Sequence, residues 1–254
     1  MTLDPDMSLS FSASVPVFDA NVGIGHRHNR RYPYDSADGL LEEMARHGVD
    51  RALVYHVQGE LISPSQGNEQ LADWMDGHEE LVSQYVAGSD PGSLAQLKEL
   101  RADRSLTSVR LQNTTECRVP FTPWVWNTLL DWLSSERIPL WVSLADTDPK
   151  EIHDTLVQHP DLPVVLVGAH YTHTMMVRPL LNTLPNASLE LSRFENIRGI
   201  EKLVDEYGPS RFLYGSFFPR YAMGPVLFYL HRLELADGVL EQICSTNLER
   251  ILNA

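Results

Sequence analysis

The side chains able to bind, polarise or transfer a proton cluster just after short apolar runs of this sequence. In SVRLQ (108–112), alternation puts Arg110 and Gln112 on one face and Val109 and Leu111 on the other. In ASLELS (187–192), Ser188, Glu190 and Ser192 share a face opposite Leu189 and Leu191. His170, Tyr171 and His173 follow LPVVLVG (162–168). A guanidinium, a carboxylate and an imidazole supply an anion-binding group and an acid/base pair. We read Arg110 as the anion binder, His170 as acid or base, and Glu190 as the group that orients or polarises. A buried charge is costly unless matched, so Arg110 is expected to pair with Glu190, with Arg193 adding to the network. The competing reading is structural: these ions fill space and do no chemistry.

Further candidates for binding a substrate are Asn21, His26, Arg27, His56, Ser143, Tyr171, Arg193, Phe217 and Arg220. Arg27, Arg30, Arg31 and Arg220 would draw a carboxylate or phosphate to a common mouth, or else belong to a solvated loop. His56 at the end of the second run is more often a satisfied structural histidine. Ser143 and Ser216 lack the G-x-S-x-G elbow of a serine nucleophile. Trp124, Trp126 and Trp132 have the spacing of core packing. His26 with His28, and His170 with His173, are close pairs that a metal could use; we treat such a site as the minority reading and expect no cofactor.

The elements that must position these groups are eight apolar, β-branched runs: 15–20, 51–57, 81–88, 108–112, 138–144, 162–168, 187–191 and 211–215. Amphipathic stretches separate them. One ends at Gly48, a C-cap signal; Thr122-Pro123 and Asp148-Pro149 open two others with an N-cap followed by proline at the first helical position. Eight strand–helix units in 254 residues predict an α/β fold, a single (β/α)8 TIM-type barrel. No GxGxxG or P-loop supports the alternative open sheet. Residues 1–12 read as a loose tail and 13–254 as one barrel domain, with a final helix over 237–251. Catalytic groups of such barrels sit at the C-terminal strand ends, which is where the candidates fall.

A formal charge of −14 argues against nucleic acid or an anionic membrane as partner. Cys117 and Cys244 show no metal or disulfide spacing, and no signal peptide or apolar span is evident, so a cytoplasmic location is expected. The apolar stretch YAMGPVLFYLHRLEL (221–235) leaves room for a homo-oligomer, although packing on the barrel explains it as well.

The order of motifs resembles the amidohydrolase-related (amidohydrolase 2 type) hydrolases and decarboxylases. FDANVGIG stands where that family has Asp-x-His-x-His, and IPLWVS where it has Leu-Pro-Val-x-x-His. VVLVGAHYTH matches its sixth strand, NASLELS its seventh and RFLYGSFFP its Arg-Leu-Leu-Phe-Gly-Ser-Asp-Phe-Pro; STNLERIL matches its last turn and helix. The resemblance runs from Phe18 to Leu252. It implies a metal held by two strand-1 histidines, two further histidines and an aspartate. Here Asn21 and Gly23 replace the first two, Ser143 the third and Phe217 the aspartate, leaving His170. One imidazole with a neutral amide and hydroxyl falls short of the three or four ligands a zinc ion needs.

The leading reading is therefore a metal-independent hydrolase or lyase of this ancestry, acting on a small anionic molecule through Arg110, His170 and Glu190. Two alternatives stay open. One is a non-catalytic ligand- or partner-binding pseudoenzyme. The other is a metal-dependent hydrolase with a relocated site drawn from His26, His28, His170 and His173.

Overall fold

The computed structural model describes residues 11–27 and 35–253. Its strands are β1 (Phe18–Ile24), β2 (Arg51–His56), β3 (Leu81–Ser83), β4 (Tyr85–Ala87), β5 (Val109–Leu111), β6 (Leu140–Ser143), β7 (Val164–Val167), β8 (Ala187–Glu190) and β9 (Phe212–Leu213). All pair in parallel, in the orders β1-β2-β3 and β4 through β9. β3 and β4 are one expected run interrupted at Gln84, whose backbone N–H donates to the Val54 carbonyl at 2.8 Å. The ends of the sheet also meet: Ala20 N–H donates to Tyr214 O at 3.1 Å, and Gly23 N–H to Phe218 O at 2.6 Å. Thus all eight expected runs became neighbours around one barrel.

Near-continuous apolar sequence suits strands covered on both faces. Phe18, Ala20, Leu53, Trp141, Val165, Val167 and Leu213 form an inner cluster closed below by Leu248 and Ile251 of the last helix. The larger outer cluster joins the other strand faces to the surrounding helices. Helices follow the strands at Ala37–His47, Pro64–Met75, Pro91–Ala102, Pro123–Glu136, Pro149–Leu156, Thr174–Thr183, Gly199–Tyr207 and Gly224–Leu230. Gly48 ends the first at φ 68°, the left-handed conformation glycine tolerates, with its N–H on Ala45 O. Asp148 caps Pro149–Leu156 by accepting from Lys150 N–H at 2.8 Å. Thr122 precedes its helix as expected but makes no side-chain cap bond.

Three expectations need correction. The first strand does not stop at Ala20; it continues to Ile24, so Asn21 and Gly23 lie within it. Its register against β2 shifts between Asp19 and Val22. Phe18 and Ala20 join the inner cluster, whereas Val22 and Ile24 join the outer one, so the shift turns Asn21 inward. Secondly, Trp124 is 82% exposed, although Trp126 is buried as read. Thirdly, the final helix is broken into Val239–Glu241, a π-helical segment Gln242–Thr246, and Asn247–Leu252. Phe11, near the end of the expected tail, packs edge-on against Phe228 and His231. In the stretch 221–235, Val226, Leu227 and Leu230 are buried, while Phe228 is partly exposed. Among the described residues no helix is long and apolar enough to cross a membrane.

Candidate functional site

The C-terminal ends of the strands deliver a buried, hydrogen-bonded chain of polar groups. Arg110 on β5 is 1% exposed and its guanidinium lies 3.9 Å from the centre of the Tyr55 ring. Its Nε donates to Glu60 Oε1 at 3.0 Å, and Nη2 stands 2.9 Å from the same oxygen. Its Nη1 donates to Asn21 Oδ1 at 3.1 Å. The other end of the Asn21 amide donates to Glu190 Oε2, also at 3.1 Å. Glu190, fully buried on β8, accepts three more hydrogen bonds: from Gly168 N–H at 2.9 Å, Ser192 N–H at 2.5 Å and Ser192 Oγ at 3.1 Å. The direct Arg110–Glu190 pair expected from the sequence is thus corrected. Asn21 stands between them, and the acid that meets Arg110 is Glu60.

Glu60 sits in a short helix, Val57–Leu61, that leaves β2 directly. That helix lies against Pro64–Met75 with backbone in contact: a Cβ on Gly67 would fall 2.3 Å from Gly59 Cα. The close approach carries Glu60 inward. Its second oxygen stands 3.3 Å from Arg220 Nη2, and Arg220 Nη1 donates to Asp146 at 2.9 and 3.1 Å. Ser143 donates to the same Asp146 at 2.7 Å. Two carboxylates and two guanidiniums therefore compensate one another, which holds the charge in the interior.

Phe217 occupies the space between them. Its ring centre is 4.5 Å from the Arg220 guanidinium and 5.8 Å from that of Arg110. The residue has φ 57°, uncommon for an aromatic side chain. Gly168 faces the ring; a Cβ there would lie 2.6 Å from it, and its own φ of 69° also suits glycine.

His170 does not join Arg110 and Glu190. It lies at the rim, ring against Tyr171 at 3.8 Å between centres, with Nδ1 3.2 Å from Thr172 Oγ1. His173 Nδ1 accepts the His170 N–H at 3.0 Å. Tyr171 is exposed. Arg193 is outside the expected ion network: its backbone bridges to His170 and its guanidinium stacks 4.1 Å from the Tyr221 ring centre. Arg27 pairs with Glu116 at 3.2 Å and His26 with Asp35 at 2.5 Å. His56 is buried, accepts from Gln58 N–H and meets Trp74 edge-on. His28, Arg30 and Arg31 lie outside the described residues.

Electrostatics follow from burial. Desolvation pushes Glu190 up to about 7 against the pull of its four donors. It raises Asp19 to about 6, although Asp19 Oδ1 accepts the N–H groups of Asn21 and Ser216. Burial, with the nearby His26 adding to it, lowers His56 to about 4. Arg110 stays above its ordinary value, because the favourable fields of Tyr55 and Glu60 outweigh desolvation.

These residues do not fit the metal that the resemblance implies. Asn21 has both ends of its amide engaged, Ser143 serves Asp146, and Phe217 offers carbon. Gly23 has no side chain, and a Cβ there would already touch Tyr55 at 3.1 Å. Two guanidiniums bring positive charge where a divalent ion would need negative charge. Among the described residues no group of three His, Cys, Asp or Glu side chains could hold a metal ion. Of the relocated candidates, His26 faces Asp35, and His170 and His173 bond within their own turn.

Glu60 was not anticipated from the sequence. Its signal was a lone carboxylate in the otherwise uncharged stretch VYHVQGELI, between an apolar run and a helix. Asp19 and Asp146 lie at or just past the ends of the apolar runs 15–20 and 138–144, but nothing in the sequence marks them as members of a network.

Neither a protein-family model nor a curated protein sequence matches the chain. Solved structures do. An uncharacterised TIM-barrel protein from Bordetella bronchiseptica superimposes with a TM-score of 0.76 at 16% identity, covering 94% of this chain and 99% of that one. A 2,6-dihydroxybenzoate decarboxylase from Rhizobium gives 0.74 at 11% identity, covering 94% and 99%. Amidohydrolase 2 from Bifidobacterium longum subsp. infantis gives 0.64 at 15%, again covering 94% and 99%. The chain has the TIM-barrel fold of these structures, as the resemblance implied.

Proposed function

We propose that this chain is a non-catalytic descendant of amidohydrolase-type barrels that binds a small anionic molecule at the barrel mouth. The observation that carries the reading is the closed chain Glu60–Arg110–Asn21–Glu190. Each member is at most 2% exposed and hydrogen-bonded to the next, so the central charges are engaged with one another and not offered to a ligand. A cationic group and aromatic rings lie past the ends of β7 and β8. Arg193 is stacked on Tyr221, and its buried Nε has no hydrogen-bond partner among the described residues; His170 lies beside it in the backbone. A planar guanidinium held by stacking is suited to a carboxylate. The likeness to a decarboxylase of 2,6-dihydroxybenzoate, itself an aromatic carboxylate, supports that ligand class.

The test is a panel of aromatic and aliphatic carboxylates, followed by calorimetry for binding and by chromatography for turnover. The reading expects saturable binding, weakened by Arg193→Gln, with every compound recovered intact. Steady conversion of any of them, abolished by Glu190→Gln, would overturn it. That outcome belongs to a second reading favoured by one observation: a carboxylate raised to about 7 is tuned for acid/base work near neutrality. In that case Phe217 would act as a cover over Glu190, and metal-free catalysis would be retained.

A further inference from the structure

A cavity of about 430 Å³ lies at the opposite end of the barrel, where β7, β8 and β9 begin. That is within the range of small-molecule sites. Pro163, Pro185 and Ile251 give it apolar walls, with Tyr207 beside them; Arg211 and Arg250 supply its charge.

The way these arginines are held sets the cavity apart. Arg211 donates Nε to Ala187 O at 2.8 Å, Nη1 to Leu181 O at 3.0 Å, and Nη2 to Leu184 O at 2.8 Å and Ala187 O at 2.6 Å. Arg250 donates Nη2 to Ser210 O at 2.7 Å. Carbonyl oxygens satisfy donors and fix a guanidinium in place, but they bring no counter-charge. Among the described residues no Asp or Glu lines the cavity. Elsewhere on this acidic chain exposed arginines meet carboxylates: Arg51 with Glu249, Arg101 with Glu136, Arg178 with Glu206. Two guanidiniums anchored on neutral acceptors, in a concave site with apolar walls, form a positive spot on a chain of net charge −14.

We infer that this basal cavity binds a small organic anion, a carboxylate or phosphate monoester carrying an apolar body. Arg250, free at Nε and Nη1 of any hydrogen bond among the described residues, takes the anionic head, and Pro163, Pro185 and Ile251 cover the rest. Arg211 fixes the floor and adds its field. The site is independent of the mouth.

The experiment is calorimetric titration of the full chain with benzoate and with phenyl phosphate, in the mouth variant Arg193→Gln and in the same variant carrying Arg250→Gln, so that the mouth site contributes to neither. Arg250 is exposed and holds one backbone carbonyl, so its replacement leaves the fold intact, and a thermal melt of the variant verifies this. The expected result is saturable binding of at least one probe to the Arg193→Gln chain, weakened about tenfold or more when Arg250→Gln is added, as loss of a charge-assisted contact implies. The tighter probe names the head group. No saturation below about 10 mM with either probe, an affinity too weak for a built site, would overturn the inference. So would binding to the Arg193→Gln chain that Arg250→Gln leaves undiminished.

Discussion

Asn21 joins Arg110 to Glu190: its Oδ1 accepts from Arg110 Nη1 and its Nδ2 donates to Glu190 Oε2, each at 3.1 Å. A neutral amide is suited to stand between a cation and an anion in this way, because it presents an acceptor to one and a donor to the other. Asn21→Leu, close in size, would leave a guanidinium N–H of Arg110 buried without a partner and take one of three donors from Glu190 Oε2. Unmade hydrogen bonds to charged groups cost about 2–4 kcal/mol in total, and urea unfolding of the purified variant should report a loss of that order. Asn21→Asp should be at least as harmful, since it sets a carboxylate against Glu190.

Glu60 compensates Arg110 where no water reaches. Glu60→Gln should destabilise the chain by about 3–5 kcal/mol, the range for breaking a buried pair on one side. Replacing both partners, as in Glu60→Gln with Arg110→Met, should recover much of the loss. A double-mutant cycle by denaturant unfolding measures it; additive losses would deny the coupling.

Phe217 fills the space between two guanidiniums with a ring. Phe217→Asp, which restores a carboxylate at the family's metal position, should nevertheless bind zinc or manganese no more tightly than the wild type. Asn21, Gly23 and Ser143 still provide no ligand set, and Arg110 and Arg220 would capture the new charge. Calorimetric titration with each metal checks this.

Glu190 sets a pH dependence. Its folded pKa, about 7, lies above its ordinary value of 4.5, so the native state holds a proton that the unfolded chain has released between those values. The corresponding stability is complete below about 4.5 and is lost as pH rises through about 7. Asp19, raised to about 6, acts in the same direction. Unfolding free energy should fall from pH 5 to pH 8, and the slope should flatten in Glu190→Gln.

Much of this arrangement was legible in the sequence, for reasons that differ by residue. The eight strands announced themselves because parallel strands buried on both faces must be apolar along their length. Arg110 and Glu190 were identifiable as inward-facing because β5 and β8 alternate regularly and Val109, Leu111, Leu189 and Leu191 occupy the outer cluster. The partner of Arg110 was not legible. Nothing local in VQGELI says that a glycine contact between Gly59 and Gly67 swings Glu60 towards the barrel axis. The reach of β1 was misjudged for a related reason: a register shift between Asp19 and Val22 changes which residues point inward, and no period in FDANVGI records it. Phe217 was legible only against a motif, since a phenylalanine after Gly-Ser becomes informative once an aspartate is expected there.

The central claim is that this centre is occupied by its own side chains and no longer suits a divalent metal. The most direct measurement is metal bound per chain, on protein as isolated and again after incubation with excess zinc or manganese and desalting. The account predicts less than about a tenth of an equivalent in every case, as a donor set short of three ligands implies. About one tightly held metal per chain, lost on chelation, would contradict it.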